Sequence, residues 1–176
     1  MGGVLKKGDV QLYTGDGKGK TTAALGLSLR ASGRGLRTYI GQFMKGQHYG
    51  ELDALAGNSL IVIEQYGDPR CIRREQVTPQ HIAQARQGLD RAWEVMRAGQ
   101  YDIIVLDEVN VALWFGLLDV ADVLRFVAER PPQVELFLTG RRAPRALIEC
   151  ADLVTEMREI KHYYEQGVLA RDGIER

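Results

Sequence analysis

The chain has 176 residues, the length of one ordinary α/β domain, and 45% of them are hydrophobic, enough for a sizeable core. Lysine plus arginine and aspartate plus glutamate each number 23, so the formal net charge is zero, which argues against a broad nucleic-acid or membrane-surface function. Cys71 and Cys150 show no pairing pattern, His48, His81 and His162 are scattered, and no run is long enough to span a membrane; a reduced, cytoplasmic setting without a zinc site is expected.

In chain order, residues 1–8 read as a frayed start, followed by a strand over 9–14 and a helix over 20–32 that Gly33-Arg34-Gly35 ends. A second strand is predicted over 37–43, a loop over 44–50, a short helix around Leu52, Leu55 and Ala56, and a third strand over 60–63. Residues 65–79 are irregular, with turn chemistry at Tyr66-Gly67-Asp68-Pro69-Arg70. Pro79 suits the first position of a long helix, on which Ile82, Ala85, Leu89, Trp93 and Met96 fall at helical spacing; Trp93 is read as core. Ile103-Ile104-Val105-Leu106, bounded by charges, predicts a strand buried on both faces. Then come a helix over 117–128, a fifth strand over 134–140, a helix over 143–151 and a sixth strand over 153–157. Strands and helices alternate without repeat or linker, so a single three-layer α/β domain over residues 1–176 is expected, with a mostly parallel sheet of the P-loop NTPase or RecA-like type.

Two stretches carry chemistry. Thr14-Gly15-Asp16-Gly17-Lys18-Gly19-Lys20-Thr21-Thr22 lies between the first strand and first helix, the order of a phosphate-binding loop. Glycines let backbone N–H groups close around phosphate oxygens, and the helix start adds unpaired donors and the positive end of its dipole. Lys20 would set a charge against the outer phosphates, and the Thr21 hydroxyl would ligate their magnesium ion. Thr14 stands where the usual pattern has its first glycine, and the bland alternative is a glycine-rich turn before a helix. The second stretch is Asp107-Glu108, at the carboxyl end of the buried strand, where open α/β sheets place their sites. Both carboxylates suit a magnesium ion beside a polyphosphate; the alternative is a solvated acidic turn.

These segments, together with Gly41-Gln42-Phe43-Met44-Lys45-Gly46, Leu106-Asp107-Glu108-Val109-Asn110, Leu138-Thr139-Gly140-Arg141 and the stretch from Ala151 through Lys161-His162 to Gly167-Val168, resemble the P-loop type of ATP:corrinoid adenosyltransferase over nearly the whole chain. The resemblance implies transfer of the 5′-deoxyadenosyl group of ATP to the cobalt(I) of a reduced corrinoid, with release of triphosphate. It also implies ATP bound in the reverse sense to ordinary P-loop enzymes, a homodimer, and a reductase that supplies the cobalt(I) corrinoid. By that likeness Arg30 and Arg141 lie near the phosphates, and Gln42 and Lys45 near the nucleotide; a lone arginine can equally be a surface residue. Two departures stand out. A site-covering N-terminal segment is expected to be short or absent. The loop before the long helix lacks the family's Phe and Trp, so Tyr66 or Ile72 would take their place, while Arg70, Arg73 and Arg74 would meet polar groups of the corrinoid or form a solvated basic loop. An ordinary P-loop hydrolase or kinase, and a nucleotide-binding regulatory module without turnover, are the competing readings.

Overall fold

The computed structural model of the chain describes residues 5–175. Six strands form one parallel sheet in the order β3-β2-β4-β5-β1-β6. They are β1 (Val10–Thr14), β2 (Thr38–Phe43), β3 (Ile61–Tyr66), β4 (Ile103–Asp107), β5 (Glu135–Thr139) and β6 (Leu153–Glu156). The helices are α1 (Lys20–Ser32), α2 (Gly50–Leu55), α3 (Pro79–Ala98), α4 (Val109–Trp114), α5 (Val120–Ala128) and α6 (Arg145–Cys150). Of the expected frayed start, residues 1–4 lie outside the described residues, while the Gly8 amide donates to Pro132 O at 2.8 Å.

The layers follow from side-chain alternation. On β4, Ile104 and Leu106 face a core built with Leu89, Trp93 and Met96 of α3, Leu113 of α4 and Phe126 of α5, whereas Ile103 and Val105 face Ala24 and Ala31 of α1. Every residue of β4 is buried, as an apolar run flanked by helices on both faces requires. The apolar stripe of α3 is buried at Ala85, Leu89, Trp93 and Met96, and Gly99 closes the helix in the left-handed region at φ 64°.

Three elements differ from the sequence pattern. β3 runs on to Tyr66, because Glu64, Gln65 and Tyr66 pair with Gly41, Gln42 and Phe43 of β2. α4 forms where no element is predicted: Glu108 takes a left-handed φ of 60°, turning the chain sharply out of β4, and Val109, Ala112 and Leu113 are then buried. α5 begins at Val120, later than 117, since Gly116 at φ 72° separates it from α4.

Candidate active site

The loop between β1 and α1 is clamped from beneath by the chain leaving β6. The Met157 amide donates to Thr14 O (2.8 Å), and the Gly17 amide donates to Met157 O (2.7 Å). A Cβ on Gly17 would lie 2.8 Å from the Arg158 carbonyl carbon, and Gly19 sits at φ 119°, so both positions demand glycine. Lys20 is buried, and its ammonium turns back to donate to Gly15 O and Gly17 O, each at 2.7 Å. Burial pulls its pKa below the ordinary lysine value. Phosphate oxygens cradled by the loop would compete with those carbonyls for the same charge. Thr14, the departure from the usual motif, accepts from the Ala143 amide at 3.2 Å and so ties the loop to the segment carrying Arg141.

At the end of β4 the Asp107 carboxylate is fully committed. Oδ1 accepts from the hydroxyls of Thr139 (2.7 Å) and Thr21 (2.9 Å), and Oδ2 takes the Lys45 ammonium (2.9 Å) and the Gln42 amide (3.3 Å). Lys45 also lies 3.5 Å from Glu51 and 3.4 Å from the Thr21 hydroxyl, and Gln42 donates to Glu51 at 3.1 Å. Burial works against the Lys45 charge, but Asp107 and then Glu51 outweigh it and raise its pKa. Glu108 is different: its carboxylate has no hydrogen-bond donor among the described residues and lines the open cleft. Burial, and then the Asp107 charge, push its pKa above the usual carboxylate range.

The cleft has a volume of about 600 Å³ and gathers Gly17, Lys18, Gly19, Lys20, Thr21, Thr22, Lys45, Glu108 and Arg141. Of the other candidates, Gly15 lies beneath the loop against Met157, Asp16 is exposed, and Gln42 stands behind Asp107. Arg30 is not brought to the site: it lies in the last turn of α1, ten residues past Lys20 and therefore roughly 15 Å along the axis. Tyr66 and Ile72 share a cavity of about 10 Å³, room for one water, and Tyr66 spends its hydroxyl on Glu64 and Tyr39. Arg70 is exposed and paired with Asp68. The cleft also takes in Tyr49, Glu51, His162, Ile174 and Glu175, which sequence reasoning gave no role. Lys18 bridges to the C-terminal stretch, donating to Glu175 (2.7 Å), Ile174 O (3.0 Å) and the Tyr163 hydroxyl (3.1 Å).

Thr21, Asp107 and Glu108 offer oxygen donors only, which suits magnesium. Among the described residues no cluster of three or more His, Cys, Asp or Glu could cage an ion alone, consistent with magnesium's habit of keeping waters and phosphate oxygens in its shell. The residues present fit the ion, with Glu108 the carboxylate left free for it.

The chain is 36% identical to a corrinoid adenosyltransferase of Sinorhizobium sp, covering 97% of this chain and 81% of the relative. It is 34% identical to a corrinoid adenosyltransferase of Escherichia coli (strain K12), covering 97% and 86%. Among solved structures, a KaiC-like protein, PH0186, from Pyrococcus horikoshii OT3 superimposes with a TM-score of 0.56 at 14% identity, over 89% of this chain and 75% of that one; the likeness is one of fold. The profile of the family described as ATP:corrinoid adenosyltransferase BtuR/CobO/CobP matches residues 6–176. That match runs through every segment lining the cleft, and the chain belongs to this family of ATP:corrinoid adenosyltransferases.

Proposed function

We propose that the cleft holds ATP and presents its ribose 5′-carbon to the cobalt(I) of a reduced corrinoid. The cobalt supplies the electron pair for the new cobalt–carbon bond, the carbon–oxygen bond to the phosphate chain breaks, and triphosphate leaves with that bonding pair. The nucleophile comes with the substrate, so the protein's task is orientation and charge stabilisation. Amide donors of the loop, the Lys20 ammonium and the Arg141 guanidinium meet the developing negative charge. Lys20 exchanges its loop carbonyls for phosphate oxygens. Asp107 holds Thr21, Lys45 and Gln42 in place. Thr21 and Glu108 are the groups that would hold magnesium, which when bound neutralises part of the triphosphate charge.

The single observation carrying this reading is the convergence of the phosphate loop, the end of β4 and Arg141 on a shared cleft. The chain acting as a single domain, a homodimer, a reductase feeding cobalt(I) corrinoid, and a cytoplasmic setting belong to the same reading; no helix among the described residues is long and apolar enough to cross a membrane. Protein, magnesium-ATP and a chemically reduced corrinoid should yield a light-sensitive cobalt–carbon product and inorganic triphosphate. ADP formed without corrinoid, with the γ-phosphate released to water or passed to an acceptor and no triphosphate, would instead identify a hydrolase or kinase.

A further inference from the structure

The loop before α3 lacks the aromatic pair expected beside a corrinoid, but the fold brings an aromatic to it from elsewhere. Trp114, the last residue of α4, is 39% exposed. The Arg142 guanidinium lies 4.6 Å from its ring centroid and the Arg74 guanidinium 5.8 Å. Arg74 belongs to the loop before α3, and Arg142 follows directly on Arg141 of the cleft. We propose that Trp114, Arg74 and Arg142 form the contact for the rim of the corrinoid and favour corrinoids that keep free peripheral carboxylates. This rests on the adenosyltransferase reading above.

Three observations carry it. The first is charge. Arg74, Arg141 and Arg142 make no salt bridge or side-chain hydrogen bond among the described residues, whereas Arg70, Arg91, Arg145 and Arg171 each hold a carboxylate. A guanidinium stacked on an indole keeps its N–H edge free, and that edge is the fork that grips a carboxylate through two bonds. The second is rigidity. Arg142 is held in the left-handed region at φ 57°, between Gly140, whose carbonyl accepts from buried Asn110, and Ala143, whose amide donates to Thr14. Its guanidinium is thereby presented from a fixed backbone. The third is position. α4 starts immediately after Glu108 of the cleft, so Trp114 lies only about 9 Å along the helix from it. A flat macrocycle whose metal approaches the cleft extends its rim and arms over that distance. Two guanidiniums set over one indole, with their N–H edges free, match a ring fringed with carboxylates.

The test uses the full chain and two probes: cobyrinic acid a,c-diamide, which retains free carboxylates, and hydroxocobalamin, whose ring arms are amides. Binding is followed by tryptophan fluorescence, since of the two tryptophans Trp93 is buried and Trp114 is the exposed reporter. Arg142→Gln should weaken cobyrinic acid a,c-diamide about tenfold, the scale of one lost charge-assisted pair, and hydroxocobalamin less than twofold. It should raise the corrinoid KM in turnover and leave kcat and the ATP KM in place. Trp114→Phe should retain the wild-type melting temperature and raise the KM for both corrinoids in turnover. If the wild type adenosylates both corrinoids and Arg142→Gln weakens them equally, or not at all, the contact is overturned and the adenosyltransferase reading stands. If the wild type adenosylates neither, that reading falls and the contact with it.

Discussion

The two halves of the site are built on opposite terms. The floor of the loop half is buried and paired: four donors converge on Asp107, and Lys20 rests on two loop carbonyls. The rim around Trp114 is exposed, drawn from loops and short helix ends, and its guanidiniums have no carboxylate partners among the described residues. On the proposed reading, a leaving group common to all substrates would be met largely by dipoles and charges fixed in advance, with little reorganisation cost during the reaction. On the same reading, a variable ring would be met by side chains that wait for the ligand to satisfy them, on loops that a rigid sheet merely positions.

The contrast can be tested at decreasing scale. Asp107→Ala leaves the Lys45 ammonium buried without its nearest counter-charge, and should cost about 3–5 kcal/mol of stability in urea unfolding. Asp107→Asn, which keeps the shape and part of the hydrogen bonding, should cost less. If Asp107→Ala unfolds like the wild type, the cradle is not the rigid half. Lys20→Ala should cut kcat/KM by ~10²–10³, on the order of 3 kcal/mol, as for removal of one preorganised transition-state donor. Corrinoid affinity measured by fluorescence should hold steady in that variant, because the rim does not depend on Lys20; parallel loss of both would mean the halves are one.

Thr14→Val sharpens the link between them. It removes the acceptor for the Ala143 amide, worth about 1 kcal/mol, and loosens the segment bearing both Arg141 and Arg142. Both the ATP and the corrinoid KM should rise a few-fold together, and a change in only one would assign that segment to a single half. The smallest effect lies away from both. Burial raises the Glu64 pKa, but hydrogen bonds from Tyr66, Arg91 and Tyr39 outweigh it and hold it below 4.5. A depressed carboxylate stabilises the fold above its unfolded pKa, and that contribution is lost as pH falls through the folded value. Glu64→Gln should therefore melt slightly below the wild type at neutral pH, with the gap closing as pH drops below 4.5. A gap that widened in acid would refute the assignment.

Much of the cradle was written locally. Gly17, Gly19, Lys20 and Thr21 follow a strand and open a helix, so backbone conformation and site chemistry come from the same few neighbours. The apolar run of β4 likewise announced burial on both faces, and its end placed Asp107 and Glu108. The covering stripe of α3 was legible from its spacing. The short helix α4 was not, because Glu108 at φ 60° offers no capping signature and Val109–Trp114 reads as well for strand as for helix. Nor could any local pattern show that Lys18 meets Glu175, that Glu51 backs Lys45, or that Trp114 stands beside Arg74. Those pairs are set by the strand order and by where each crossover returns the chain. The sequence by itself determined most of the elements and the glycine loop between β1 and α1, since periodicity and glycine placement act within a few residues. Only the tertiary structure decided which distant side chains share a surface, because that follows from packing the whole sheet between its helices.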